Sequence, residues 1–587
     1  MESIAAELLP RVLSVNGAQT SVGLTKSYLD HLEDLPPTVG RFLGVRRGTS
    51  LLIGMISEVS MERPSVTRDT GFYAVAKLDL LGEIKDISTA GARFHRGVTN
   101  YPAIDDPALL MTSRELGLIY EVPDANMVRV GSLHQDPSIS ASINVDEVLN
   151  KHFAILGTTG VGKSSAVSLV LGEIMRAKPS LRLFVLDGHN EYGRCFGERS
   201  HVLNPRNLRL PFWLFNFEEL VDVIFGGRPG GHDETILLSE AIPVAKGMYA
   251  ARTDRLRRSD PKSTGYTVDT PVPYRLEDLL AQLNEGMGRL ENRASRIHYF
   301  KLITRIEQVR NDPRYTFMFD NANVGGDTMA DVLRDLFNLR PDDPPMTVMQ
   351  LAGFPVEVVD SVVSVLCRMA FDLGLWSDGA VPLLFVCEEA HRYASADRTI
   401  GFGPTRRALS RIAKEGRKYG VFLGLVTQRP AELDATIISQ CSTLFVMRMA
   451  NERDQALVRS AVPDAGANLL AFLSSLGVRE ALAFGEGVAL PVRFTFRSLE
   501  AHEIPRSEAV SDGPRAGGDF LDMAIERWRG STMSAKRIGD DAPAAIEVPE
   551  TPPPPAVERS RLLRKPAEAQ AAVRQEFANP FVRRPTT

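Results

Sequence analysis

The chain has 587 residues, too many for one hydrophobic core, so two or three domains with added segments are expected. Its 44% hydrophobic and 24% charged residues match an ordinary soluble globular protein, and a net charge of −5 excludes a globally basic nucleic-acid binder, leaving any DNA surface to a local patch. Four scattered cysteines (Cys195, Cys367, Cys387, Cys441) without C-x-x-C pairs argue against structural zinc and disulfides and for a reducing cytoplasm, and the absence of a long apolar run argues against a membrane span or signal peptide.

Residues 1 to about 140 carry short β-branched runs: Arg11–Val15, Val39–Val45, Leu51–Val59, Phe72–Ile84 and Met127–Leu133, broken by Gly and Pro. Such spacing predicts a small N-terminal β-barrel, read as a structural or oligomerising domain.

From about 141 to 500 longer strands alternate with helices, the pattern of an α/β domain. His152–Ser165 reads H-F-A-I-L-G-T-T-G-V-G-K-S-S, with Gly157, four intervening residues, then Gly162, Lys163 and Ser164. This is the spacing of a phosphate-binding loop, set between an apolar strand (Phe153–Leu156) and a helix (Ala166–Met175). Its nucleotide-binding residues are expected to be Gly157, Thr158, Thr159, Gly160, Val161, Gly162, Lys163, Ser164 and Ser165. Glycines let the backbone aim N–H groups at a phosphate, and the helix N-terminus adds partial positive charge. Lys163 is expected to bridge the β- and γ-phosphates of ATP, and Ser164 to ligate Mg²⁺.

A second buried strand, Leu181–Leu186, ends in D-G-H-N-E-Y. Asp187 and Glu191 could position Mg²⁺, water or a neighbouring subunit's nucleotide there; equally, the stretch could be a capped turn with Asp187 as helix N-cap. Residues 216 to about 340 read as a helical insertion, including Leu276–Leu290 and Arg293–Val309, the latter with a core stripe at Ile297, Phe300, Ile303 and Ile306. Strand character returns at Thr347–Leu351 and at Val381–Cys387, the latter followed by Glu388 and Glu389. Paired acids after an apolar strand downstream of a phosphate loop form the second half of a nucleotide-hydrolysing site, with Glu388 in the Mg²⁺ shell and Glu389 as the base.

Pro404–Gly420 is a basic helix whose Arg407, Arg411, Lys414 and Lys418 share a face. It could face DNA, send an arginine to a γ-phosphate across a subunit interface, or be a solvated basic face. The strand Val421–Val426 ends in T-Q-R-P, where Gln428 could sense a γ-phosphate or orient water. Thr443–Met447, a helix pair and an edge strand Val492–Phe496 close the domain near residue 500. In the tail, 501–587, Asp519–Arg529 and Arg559–Phe577 read as helices, Ser531–Val557 as a Pro-rich linker, and the final Asn579–Arg584 as a frayed terminus or a docking segment.

Together these motifs resemble the HerA family, hexameric DNA-translocating ATPases related to FtsK. The match runs from Val39 to about Phe496 through V-G-R-F, I-G-M-I-S-E-V-S, K-H-F-A-I-L-G-T-T-G-V-G-K-S-S, L-P-F-W-L-F-N-F-E-E-L, E-E-A-H, E-G-R-K-Y-G and T-Q-R-P. The resemblance implies a RecA-like P-loop ATPase core preceded by a ring-assembling (HAS-type) barrel, a homo-hexamer, Mg-ATP hydrolysis at subunit interfaces, and double-stranded DNA threading the pore. It matches Lys163 to the phosphate lysine, Glu388 and Glu389 to the acidic pair, Gln428 to the sensor glutamine, and Arg417 to a trans-acting arginine, with Arg411 second choice. The chain departs at Glu388, where many relatives carry Asp, and in the tail, which has no matching motif.

No nuclease metal cluster is evident, so cutting would need another protein. The resemblance implies a NurA-like nuclease in DNA end processing, or an effector such as a sirtuin-like NAD hydrolase in antiphage defence. A nucleotide-gated scaffold that activates an effector without translocating is the competing expectation.

Overall fold

The computed structural model describes residues 9–30, 36–61, 72–89, 91–121, 124–228, 230–253, 265–289, 293–320, 326–397, 402–462, 464–506 and 525. All fall within the unit Met1–Ala535; the second unit, Lys536–Thr587, lies outside them. The expected tail elements, apart from helical Ile525, therefore lie outside the described residues.

The N-terminal sheet has seven strands: β1 (Arg11–Asn16), β2 (Gln19–Leu24), β3 (Phe42–Arg47), β4 (Ser50–Met61), β5 (Ala74–Lys85), β6 (Arg93–Arg96) and β7 (Ala108–Leu110). They run β1-β2-β5-β4-β3-β7, with β6 pairing β5. The two edges meet where Val12 N donates to Asp106 O (3.0 Å) and Ala108 N to Pro10 O (2.8 Å), so the sheet closes into a small barrel. Along β4 the alternation divides between two cores: Leu52 and Ile56 fill the barrel with Val22, Leu43 and Leu78, while Leu51, Ile53 and Met55 join the larger core outside it. A strand buried on both faces reads as a continuous apolar run for that reason.

The second sheet has eleven strands, ordered β12-β13-β11-β14-β15-β10-β16-β17-β18-β8-β9. These are β8 (Met127–Leu133), β9 (Ser140–Asn144), β10 (Phe153–Leu156), β11 (Arg182–Asp187), β12 (Ser200–Leu203), β13 (Met346–Gln350), β14 (Leu383–Cys387), β15 (Val421–Thr427), β16 (Thr443–Met447), β17 (Glu480–Gly485) and β18 (Val492–Phe496). From β12 to β16 neighbouring strands are parallel; beyond β16 they alternate direction. Two expectations are corrected here. Met127–Leu133 belongs to this sheet and not to the barrel, pairing Leu133 with Phe494, and Val492–Phe496 lies between β17 and β8 and so is not an edge. Alternation of apolar residues reports that one face is buried, not which sheet supplies the partner.

Among the described residues, the segment between β12 and β13 includes the helices Phe217–Phe225, His232–Thr253, Leu276–Gly288, Arg293–Asn311 and Met329–Phe337. In Arg293–Asn311 the expected stripe splits, with Ile303 and Ile306 buried but Ile297 and Phe300 49% and 63% exposed. At about 100° per residue, a spacing of three drifts around the helix and reaches the opposite side after nine residues. The face that is buried carries Leu302, Ile303, Ile306 and Val309.

Candidate phosphate-binding and hydrolytic site

All four residues of β10 are buried, and the chain leaves its C-terminal end into the loop Gly157–Gly162. Gly160 and Gly162 hold φ of +79° and +92°, a region that costs other residues about 1–2 kcal/mol. Helix α1 (Lys163–Ala177) starts there with Gly162 as N-cap and without a side-chain cap, so its first-turn N–H groups are left for an anion. The loop is pinned from both neighbouring strands. Gly157 N donates to Thr427 O (3.3 Å), Thr158 N and Oγ1 donate to Arg448 O (3.2 and 3.1 Å), and Thr159 Oγ1 donates to Gln428 Oε1 (2.5 Å). A cleft of about 490 Å³ opens beside it, lined by Thr158, Thr159, Gln428, Arg429, Asn451 and Arg453 among others.

Register brings the acids to the same edge. Leu156 pairs with Thr427, and Cys387 pairs with both Leu186 and Leu425, so the residues following β10, β11, β14 and β15 emerge together. Glu389, 4% exposed, has φ +49°. Its Oε1 lies 3.7 Å from Lys163 Nζ and 3.5 Å from His189 Nε2, and its Oε2 lies 3.2 Å from His391 Nδ1. Glu388 accepts from Gly188 N and from the Tyr192 hydroxyl, both at 3.2 Å. That fully buried hydroxyl also interacts with the Ser164 side chain, so Tyr192 links the loop to the acid strand.

Asp187 caps a turn, as one of its two readings expected, but not as the N-cap of a helix. Its carboxylate accepts from the backbone N–H groups of His189, Glu191 and Tyr192 (3.3, 3.1 and 2.9 Å), organising the turn that presents Tyr192, and no helix begins there. A short carboxylate bonding its own backbone a few residues on is the usual chemistry of such turns.

Electrostatically the site is short of positive charge. Burial, with Asp187, Glu191 and Glu389 adding to it, pushes the Glu388 carboxyl up to about 9. Burial lowers the Lys163 ammonium, and Glu389, Glu388 and Glu191 pull it back. Among the described residues no cluster of three or more His, Cys, Asp or Glu is suited to hold a metal alone. One carboxylate and one hydroxyl beside an anion cradle do suit Mg²⁺, a hard cation that takes oxygen ligands and completes its shell with substrate phosphates and water.

The family description "Helicase HerA, central domain" matches residues 128–370. A DNA double-strand break repair helicase HerA of Pyrococcus furiosus is 25% identical over 494 residues, covering 77% of this chain and 82% of that one. A probable helicase of Methanocaldococcus jannaschii is 24% identical over 534 residues, 86% and 92% of the two chains. Over most of its length the chain is similar to HerA helicases. With its phosphate loop and paired acids it is a P-loop ATPase. Among solved structures, VirB4 of Thermoanaerobacter pseudethanolicus (TM-score 0.42, 14% identity, covering 65% of this chain and 99% of that one) and the conjugative coupling protein TrwB (TM-score 0.41, 13%, 68% and 94%) are similar. Among the described residues no helix is long and apolar enough to cross a membrane.

The structure separates the basic residues of this chain. Arg407, Arg411 and Lys414 lie on α3 (Gly403–Glu415), which packs against α2 (Val356–Trp376). Arg411 on α3 is held within its own chain, its guanidinium 4.2 Å from the Phe371 ring centre and 3.9 Å from Asp372 on α2. Arg407 pairs with Glu218. The expected four-residue stripe is thus reduced to Lys414 and Lys418, both exposed. Arg417 is exposed in the turn Gly416–Tyr419, just before β15 begins. It lies at the N-terminal edge of the sheet, about 20 Å from the edge that carries its own phosphate loop at about 3.3 Å per residue of β15.

The structure brings Lys163, Ser164, Glu388, Glu389 and Gln428 to one edge of the sheet. Sequence reading missed Tyr192, His189 and His391. The last stands inside the E-E-A-H motif, which offered a signal, while Tyr192 and His189 sit in the D-G-H-N-E-Y turn whose acids alone drew attention.

Proposed function

We propose that this HerA-family ATPase works as a ring of six copies that hydrolyses Mg-ATP between subunits and moves along double-stranded DNA threaded through it. In this reading the barrel (about 1–140) assembles the ring, the core (about 141–500) is the motor, and the protein acts in the cytoplasm with a partner nuclease or other effector in end processing or defence.

One observation carries the interfacial reading. The loop, the acids and Gln428 stand at one edge of the parallel strands, and exposed Arg417 stands at the other, beyond reach of its own loop. Copies arranged head to tail join those two edges.

Within each site, Lys163 contacts the β- and γ-phosphates and the first-turn amides of α1 cradle them. Ser164 and Glu388 would hold Mg²⁺, which neutralises phosphate charge when bound. Glu389 accepts the proton of the attacking water, Gln428 orients that water beside the γ-phosphate, and the neighbour's Arg417 stabilises the transition-state charge. Lys163 leaves Glu389 for the phosphates when nucleotide enters, which frees the carboxylate for the water.

The test is subunit mixing. Lys163→Ala is expected to lose nucleotide binding, Glu389→Gln to retain ATP without cleaving it, and Arg417→Ala to form rings without turnover. Mixed rings of Lys163→Ala and Arg417→Ala contain some interfaces with an intact loop and an intact arginine, and recover hydrolysis. Mixed rings that never exceed background refute the trans assignment. An effector fully activated by Glu389→Gln rings would favour a nucleotide-gated scaffold over a translocase.

A further inference from the structure

His391 Nδ1 faces two acceptors, Thr427 Oγ1 at 3.0 Å and Glu389 Oε2 at 3.2 Å. A bare nitrogen lone pair against a buried carboxylate is repulsive, so Nδ1 carries the proton. One N–H cannot align with both acceptors. The alignment favours Thr427, whose Oγ1 also accepts from Arg429 N (3.0 Å), and Glu389 Oε2 is left buried without a hydrogen-bonded partner despite its proximity. An unpaired buried carboxylate oxygen is costly, and here the cost is offset by charge: Lys163 stands 3.7 Å from the other oxygen, Oε1.

That compensation disappears once Lys163 turns to the phosphates. His189, the other neighbour of Oε1, is half exposed and 3.5 Å away, whereas His391 is nearly enclosed and anchored between two strand ends. We propose that His391 is the positioning residue for Glu389: as nucleotide draws Lys163 away, the Nδ1–H of His391 transfers from Thr427 Oγ1 to Glu389 Oε2 and holds the carboxylate toward the attacking water. Thr427 is the rest on which His391 parks in the empty site. A small rotation of one ring then couples occupancy of the loop to the aim of the base. This inference rests on Glu389 being the base. It adds an element outside that reading, since His391 touches neither phosphate nor water in this role.

The experiment compares two amides at one position. His391→Asn places an N–H where Nδ1 stands, and His391→Gln places it one bond further out, near Nε2, so both variants carry the same polar burden on folding. His391→Asn is expected to keep most of the wild-type kcat and His391→Gln to lose about 10- to 100-fold, the usual effect of removing an orienting partner. Both should bind a non-hydrolysable ATP analogue as wild type does, in a titration without turnover. In a Glu389→Gln background the His391→Gln change should produce no further loss. Equal turnover by the two amide variants, a loss of analogue binding that matches the loss of kcat, or an additive loss in the Glu389→Gln background overturns the proposal. If Glu389→Gln itself turns over like wild type, it is the assignment of the base that fails.

Discussion

Lowering the pH from 7.5 to 5 should unlatch the phosphate-loop strand from its neighbour, and the size of the effect can be worked from one residue. His152 immediately precedes β10, is 2% exposed, and adopts φ +65°. Its Nδ1 accepts from Leu423 N (2.9 Å) and its Nε2 faces Ala413 O at 3.0 Å, so the ring is neutral with the proton on Nε2. A second proton would sit on Nδ1, against an N–H donor. Burial accordingly lowers the pKa from 6.5 to about 4; the Ala413 bond works against this and Arg417 adds to it. Because the folded value lies below the unfolded one, protonation favours unfolding. The stabilisation is complete above about 6.5 and is lost as pH falls from there towards 4. Between pH 7.5 and 5 the loss comes to about 2 kcal/mol, at about 1.4 kcal/mol per pH unit over most of the interval below 6.5. Urea unfolding of wild type and His152→Gln at both pH values isolates it, since the other titrating groups cancel in the comparison. Wild type should lose about 2 kcal/mol more than the variant between the two pH values. Equal losses would refute the reasoning, because they would mean that His152 titrates alike folded and unfolded.

Four substitutions probe the site and the stripe. Gly162→Ala should cost about 1–2 kcal/mol of backbone strain, and its Cβ would stand 3.2 Å from Arg479 Cγ, so analogue binding is expected to weaken about tenfold; binding within twofold of wild type would show that the loop tolerates the change. Tyr192→Phe removes the hydroxyl shared by Glu388 and Ser164, and should raise the Mg²⁺ concentration needed for half-maximal hydrolysis by about tenfold with little change in unfolding midpoint. Arg411→Ala should lower stability by about 1 kcal/mol through loss of its packing on Phe371 yet leave hydrolysis intact, whereas Arg417→Ala should leave stability intact and reduce kcat about 1,000-fold. An Arg411→Ala enzyme that is folded but inactive would reverse those two assignments.

What the amino-acid order discloses depends on how local the cause is. Strands such as Thr443–Met447 and Val421–Thr427 were legible because continuous burial in a parallel sheet demands an unbroken apolar run. The phosphate loop was legible because its glycines, lysine and serine stand at a set spacing within eight residues, Gly157–Ser164. The affiliation of Met127–Leu133 was not, since its partner β18 lies more than 350 residues downstream and an alternating pattern suits any sheet. The two readings of Asp187 could not be separated for a related reason. Its position at a strand end is that of a ligand-binding acid, but the three N–H groups it accepts from exist only once the turn has formed.

The same reasoning explains why motif reading found the groups placed to meet a nucleotide and missed the groups that hold them. Tyr192 reaches Glu388 across 196 positions, and His391 reaches Thr427 across 36, each contact being set by the register of β11, β14 and β15. A one-residue slip of β14 against either neighbour would turn Cys387 and its successors to the other face and break both contacts at once. The fidelity of that pairing, guarded by stacked Phe184 and Phe385 in the middle of β11 and β14, therefore matters to the acids as much as their own identity does. Packing changes at Phe184 or Phe385 should register at the site as misplaced chemistry before they register as lost stability.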